Sequence, residues 1–362
     1  MQWLLLIILI PYIYLILKIY SSLTKIKQFV PKKVSEIFVS VIVACRNEEK
    51  RLPLLLSDIS NQTCNHDLFE LIIVNDNSSD STFDVAWKFS RIKNLKVLNS
   101  AGSGKKKAIR TGVEASAGSY IIVTDADCRI GKEWVKTISS FQAEYKPEMI
   151  ICPVKMEGRK GFFYRFQELE FLSLQGITAG TAVGENPVMC NGACLAFRKE
   201  TYLKHAGNLH DELASGDDVF LLHNIKNEPG KRILWLESSE ATALTRTEDN
   251  LLSFLHQRAR WISKAGAYGD RFTQVLSIVT FVTISVQLFL LLGGLFIPRL
   301  LWAFAVYFVL KSVPDFLLLS NTAGRYGKKN LMRWFLPSQL VYPFYVIAIV
   351  LCALVSRAKW SY

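Results

Sequence analysis

The sequence predicts an α/β domain, a mostly parallel sheet with flanking helices, accompanied by apolar helices long enough to cross a membrane. Three observations predict it. Short β-branched runs at 38–44 (FVSVIVA), 71–74 (LIIV), 95–98 (LKVL) and 120–124 (YIIVT) alternate with helix-like stretches at 48–61, 81–92 and 106–116. Long apolar runs stand near both ends of the chain. The mean hydropathy is +0.22, with 50% hydrophobic and 20% charged residues among 362, which excludes a disordered or collagen-like chain and argues that part of it lies in lipid.

The first apolar run, residues 3–19, is WLLLIILIPYIYLILKI. No Lys or Arg precedes it, whereas Lys18, Lys25, Lys27, Lys32 and Lys33 close or follow it. A secretory signal has the opposite order of charge, so residues 1–20 read as an uncleaved transmembrane anchor. The positive-inside rule then places the following domain in the cytoplasm. Near the other end, 275–297 and 300–319 are apolar runs parted by a turn at Pro298-Arg299, and a third run covers 334–355 with Pro337 and Pro343 as expected kinks. Three transmembrane helices are expected within 272–356, and Arg325, Lys328, Lys329 and Arg333 form a basic loop between the second and third. Lys311 and Asp315 stand one helical turn apart inside the second run, where a functional role and a paired structural role are both open.

Residues 36–245 are expected to form the cytoplasmic α/β domain. In a parallel sheet, ligands sit beyond the carboxyl ends of the strands, so the polar residues after each strand carry the chemistry. Cys45-Arg46-Asn47-Glu48-Glu49 follows the first strand, Asn75-Asp76-Asn77-Ser78-Ser79-Asp80 the second, and Asp125-Ala126-Asp127 the run ending at Thr124. Each cluster alone has a plain alternative, since Ser79 and Asp80 suit a helix cap and Asp76 a turn. Three acidic clusters on one rim of a chain with net charge +12 point instead to a site. The Asp125-x-Asp127 pair has the chemistry to hold a hard divalent cation together with phosphate oxygens.

Gly102-Ser103-Gly104-Lys105-Lys106-Lys107 fails the nucleotide phosphate-loop pattern, because Asn99 stands in place of the first Gly and Lys106 in place of the Ser/Thr. A kinase or GTPase is thereby disfavoured. What remains is a basic loop opening a helix, suited to a diphosphate or else a solvated lysine cluster. The seven cysteines are scattered with no C-x-x-C pair and read as reduced thiols, and none of the five histidines is assigned to a metal. No helix-turn-helix, zinc or single-strand-binding signature accompanies the positive charge, so nucleic acid is set aside as a partner.

Taken in order, VSVIVACRNEE (39–49), LIIVNDNSSDST (71–82), GKKKAIRTGV (104–113), YIIVTDADC (120–128), NGACLAFRK (191–199), SGDDVFLL (215–222) and QRARW (257–261) resemble a membrane-bound family 2 glycosyltransferase with the GT-A fold. The last motif is similar to the Q-x-x-R-W signature of polysaccharide synthases and ceramide-glucosyltransferase-like enzymes. The resemblance implies that Glu48 and Asp76 contact the base and ribose of a UDP-sugar, that Lys105 lies against the nucleotide, and that Asp125 faces the nucleotide sugar. It implies Asp127 as the ligand of Mg2+ or Mn2+, and Asp218 as the catalytic base beside Asp217. Asn75, Asn77 and Arg110 depart from the pattern, where many relatives have Asp, Gly and Asn.

Gln257, Arg260 and Trp261 share one helical face by spacing, within an amphipathic helix expected over 249–268. Two readings of it stand side by side. Trp261 stacks on an acceptor sugar while Arg260 meets a diphosphate; or Phe254, Leu255, Trp261 and Ile262 dip into lipid while Arg258 and Lys264 face headgroups. The implied activity is an inverting transfer from a UDP-sugar to a lipid or growing glycan at the inner membrane, building polysaccharide or glycolipid. Processive synthesis, a single lipid glucosylation, and a catalytically silent partner of an export or assembly system are the alternatives.

Overall fold

The computed structural model describes residues 7–33, 35–89, 91–213 and 215–356. They form two compact units. One comprises the described residues of 26–157 and 189–246, and the other those of 1–25, 158–188 and 247–362.

The first unit is built on a seven-stranded sheet in the order β3-β2-β1-β4-β8-β6-β9. The four expected runs appear as β1 (Val39–Cys45), β2 (Phe69–Asn75), β3 (Leu95–Asn99) and β4 (Tyr120–Asp125), all parallel. A two-residue strand β5 (Arg129–Ile130) follows, then β6 (Met149–Ile151), β7 (Val154–Glu157), β8 (Leu195–Arg198), β9 (Ile233–Trp235) and β10 (Ala243–Arg246). β8 runs antiparallel to both β4 and β6, so the sheet is mostly rather than wholly parallel. β5, β10 and β7 make a second, three-stranded sheet. Every residue of β2 is buried, as are six of the seven in β1. That continuous apolar character is what a strand covered on both faces requires, each buried Val or Ile contributing about 1.5–3 kcal/mol. The helix expected from residue 48 begins only at Leu52, because residues 48–51 form a turn in which the Arg51 N–H donates to the Glu48 carbonyl (3.0 Å).

The second unit is helical. Arg271–Gly293, Pro298–Arg325 and Lys329–Val355 are each long and apolar enough to cross a membrane. Leu9–Thr24 is a shorter apolar helix, and residues 1–6 of the expected anchor lie outside the described residues. Pro314 and Pro343 sit inside the second and last of the apolar helices. Pro337 falls in the first turn of Phe335–Ser356, where a missing N–H costs nothing, so it is no kink.

The 36–245 boundary needs correction. Residues 158–188, expected inside the sheet domain, belong to the helical unit. The reason lies in the Phe162–Val183 helix, whose Leu169 and Leu172 pack with Leu319, Ala323, Leu331 and Phe335. Its Gly180 meets the Leu9–Thr24 helix so closely that an added Cβ would stand 2.6 Å from Ile19 Cγ2 and 2.7 Å from the Ile19 carbonyl oxygen. Lys311 and Asp315 do pair (2.7 Å), both buried, and Tyr12 Oη donates to the same carboxylate at 2.6 Å.

Candidate active site

The site is assembled by register. Cys45 pairs with Asn75, and Ala44 with Asp125, so β1, β2 and β4 all release the chain at one edge of the sheet. Beyond that edge the first two loops are laced together. Asn47 Oδ1 accepts from the Ser79 N–H (2.8 Å), the Glu48 N–H donates to Thr82 Oγ1 (2.7 Å), and the Glu49 N–H donates to Asp80 (3.2 Å). Asp80 also accepts from the Thr82 N–H (3.0 Å), so its work is structural, as the capping alternative allowed. Asn47 and Asn77 both hold the left-handed backbone region, at φ 58° and 52°. Asn is the non-glycine residue that tolerates it best, so Asn77 can hold a position that would otherwise favour Gly.

Asp76 is buried, and its Oδ1 accepts from the Gly104 N–H at 2.8 Å. Gly104, at φ 102°, lets the chain turn into the Lys105–Ala115 helix directly beside that carboxylate. The Lys105 ammonium then pairs with Asp125. Burial alone would lower Lys105, but the carboxylates of Asp125, Asp217 and Asp218 outweigh it and hold the ammonium above the usual lysine range. The next lysine behaves otherwise. Lys106 is buried and donates to the carbonyls of Leu209 (2.7 Å) and His210 (2.6 Å), so of these two lysines only Lys105 turns its charge to the acidic rim.

Asp125, Asp127 and Cys128 offer ligand atoms within 4.8 Å of one another. Burial, then the charge of Asp125, raises the Asp127 carboxyl above its ordinary range. Glu48 is raised likewise, by burial and then by Asp127. Arg51, 3.8 Å from Glu48 and 3.9 Å from Asp127, is the cation between them and was not singled out by its position in the sequence. Its only sequence signal is the three-residue step from Glu48. Burial keeps the Cys128 thiol protonated, which leaves two hard carboxylates as the donors and fits Mg2+ or Mn2+ better than a thiolate-loving ion.

Asp217 and Asp218 open the Asp217–Lys226 helix after Gly216. Asp218 accepts from the Val219 N–H and, across the fold, from the Gly192 N–H, both at 2.9 Å. The first bond is what a helix terminus alone would give. The second ties the carboxylate to the NGACLAFRK segment and fixes its direction, with Gly192 as a second contributor that spacing did not reveal.

Gln257, Arg260 and Trp261 belong to the helical unit, on the Leu251–Ile262 helix. Arg260 is exposed, the Gln257 amide donates to Glu248 (2.7 Å), and one face of Trp261 is covered by the Arg258 guanidinium at 4.1 Å. The headgroup-facing alternative fails for two residues, because Arg258 is 2% exposed and Lys264 is buried as well. Phe254 is buried too, packing with Phe166, Tyr345 and Ile349 rather than with lipid.

Residues 40–206 match the family described as Glycosyl transferase family 2. The poly(ribitol-phosphate) beta-N-acetylglucosaminyltransferase of Staphylococcus aureus is 32% identical over 126 residues, 34% of this chain and 21% of that protein. The beta-monoglucosyldiacylglycerol synthase of Trichormus variabilis is 26% identical over 62% of this chain and 48% of its own. Both matches span less than half the length of the relative. Among solved structures, the mannosyltransferase PcManGT from Pyrobaculum calidifontis, in complex with GDP-Man and Mn2+, covers 98% of this chain and 99% of its own at 17% identity and a TM-score of 0.60, a likeness of fold. On a sheet of GT-A-like fold, residues 40–206 form a glycosyl transferase family 2 domain.

Proposed function

We propose that this protein is an inverting glycosyltransferase that moves a sugar from a UDP-sugar to a membrane-associated acceptor, building a polysaccharide or glycolipid. The observation that carries it is the gathering of Asp125, Asp217 and Asp218 around the single ammonium of Lys105, with Asp76 one residue away through Gly104. Glu48 and Asp76 hold the base and ribose of the donor, and Lys105 and Asp125 lie against its diphosphate and sugar. Mg2+ or Mn2+, held by Asp127 with Asp125 beside it, would supply positive charge against the leaving diphosphate. Asp218 takes the proton of the acceptor hydroxyl as that oxygen bonds to the anomeric carbon and the bond to the nucleotide diphosphate breaks. Gln257, Arg260 and Trp261 serve the acceptor or the diphosphate.

The three apolar helices and the basic residues around Arg325 and Arg333 support a multi-pass protein of the inner membrane with a cytoplasmic sheet unit. The test is release of nucleoside diphosphate by the full chain with Mn2+ or Mg2+ across a panel of UDP-sugars, with GDP-mannose included because the whole-chain structural neighbour binds it. Turnover with one UDP-sugar is expected. Turnover with GDP-mannose alone would replace the donor assignment, and none with any donor and a membrane-lipid acceptor would overturn the reading.

A further inference from the structure

The helical unit encloses a cavity of about 90 Å³ that the proposed transfer does not use. Five helices line it: Leu9–Thr24, Phe162–Val183, Arg271–Gly293, Pro298–Arg325 and Phe335–Ser356. One wall is polar and internally neutral. Lys311 donates to Asp315 (2.7 Å) and to Gln339 Oε1 (2.9 Å), while Gln339 Nε2 returns a bond to Asp315 (3.1 Å). Glu170, also on the wall, is matched by Arg258 at 2.7 Å. The lining also includes apolar side chains, among them Ile16, Leu169, Ile177 and Leu318. Ser338, nine-tenths buried, also lines the cavity, and its hydroxyl has no partner among the described residues.

We propose that this cavity binds the uncharged, hydroxyl-bearing head of one membrane lipid, of the diacylglycerol or long-chain-alcohol class. Four features select that ligand. The paired charges leave no net charge for a phosphate or an amine to answer. The orphan Ser338 hydroxyl needs a hydrogen-bond partner, since a buried hydroxyl left without one is costly. At about 30 Å³ per water the space takes about three waters, the scale of a small hydroxyl-bearing head rather than an oligosaccharide. The helices around it have apolar outer faces, with Phe289, Val309 and Leu340 exposed, so an occupant drawn from the lipid phase suits it. An isolated Lys-Asp pair in hydrocarbon is expensive, and such residues mark ligand paths more often than scaffolding.

The experiment measures binding without turnover, so its failure and that of the transferase reading are separable. The purified full chain in detergent is titrated with dioleoylglycerol, dioleoylphosphatidate or dioleoylphosphatidylcholine, and read by native mass spectrometry and thermal unfolding. Dioleoylglycerol is expected to add one bound molecule and raise the Tm with concentration, while the charged lipids do neither. Ser338→Val is expected to weaken binding about three- to tenfold through the lost hydrogen bond, and Ser338→Phe to abolish it by filling the space. Equal binding of all three lipids by wild type, or no binding of dioleoylglycerol, overturns the proposal without any variant. Unchanged dioleoylglycerol affinity in a folded Ser338→Phe would overturn the location.

Discussion

Arg258 is the most heavily committed charge in the helical unit, and replacing it should cost the protein much of its stability. Its Nε donates to both Glu170 oxygens at 3.1 Å and its Nη2 to one of them at 2.7 Å. The guanidinium also lies 4.1 Å from the Trp261 ring and 4.8 Å from that of Phe254. Both partners are buried, at 2% and 7% exposure. Arg258→Met keeps the aliphatic stem but leaves the Glu170 carboxylate with only Tyr345 Oη, at 3.0 Å, among these donors. Breaking a buried pair from one side costs about 3–5 kcal/mol, because an uncompensated charge stays behind. At about 2–4 °C per kcal/mol for a unit of this size, Tm should fall by about 6–20 °C. Glu170→Gln removes that charge, so Arg258→Met/Glu170→Gln should recover about 2 kcal/mol or more relative to Arg258→Met. Thermal unfolding of the four proteins in detergent, followed by tryptophan fluorescence at two scan rates, makes the comparison. An Arg258→Met Tm within about 1 °C of wild type, or purely additive effects in the cycle, would refute the argument.

Gly180→Leu drives side-chain carbon into Ile19 and its carbonyl, so it should separate the Leu9–Thr24 and Phe162–Val183 helices and cost about 1–3 kcal/mol; an unchanged unfolding curve would count against that packing. Asn77→Gly should stay within about 0.5 kcal/mol of wild type and Asn77→Val should lose about 1–2 kcal/mol, since φ 52° is a left-handed position, and calorimetry of the two variants decides it. Burial, then the nearby charge of Glu48, pushes the Cys45 thiol up to about 12, so it should resist iodoacetamide at pH 8 until the chain is unfolded. Because the Asp127 carboxyl is raised in the fold, the metal-free protein loses stability as pH rises past the ordinary carboxylate range. Asp127→Asn should therefore raise Tm in EDTA at neutral pH, with a gain that shrinks as pH falls and with loss of stabilisation by Mn2+. A lower Tm for that variant at every pH would contradict the sign.

The central strands were legible because β1, β2 and β4 are almost wholly buried and so announce themselves as unbroken apolar runs, as in LIIV of β2, whereas the outer strands β3 and β9 are only partly covered. The acidic rim was legible because register carries the residue after each strand to the same edge. Three things were hidden. The Phe162–Val183 helix reads like any helix of an α/β domain, and only its packing, with Gly180 against Ile19, gives it to the helical unit. Lys105 and Lys106 are adjacent in sequence, yet a helix turns successive side chains about 100° apart, so one faces the carboxylates and the other the carbonyls of residues 209 and 210. Within QRARW, spacing drew attention to Arg260, whereas the buried and fully engaged arginine is Arg258. Which of two neighbouring arginines is buried depends on where Glu170 lies, 88 residues away, and no local pattern contains that.

The measurement closest to the central claim is the rate of sugar transfer by Asp218→Asn against wild type, with the donor identified by the panel and a membrane-lipid acceptor. The carboxylate accepts the Gly192 N–H on Oδ2 and the Val219 N–H on Oδ1, and asparagine keeps an oxygen for one of the two, so the fold and donor affinity should survive at a cost of about 1 kcal/mol. Loss of the proton acceptor should lower kcat by about 10²–10⁴ with little change in donor KM. A kcat within threefold of wild type would contradict the assignment of Asp218 as the base.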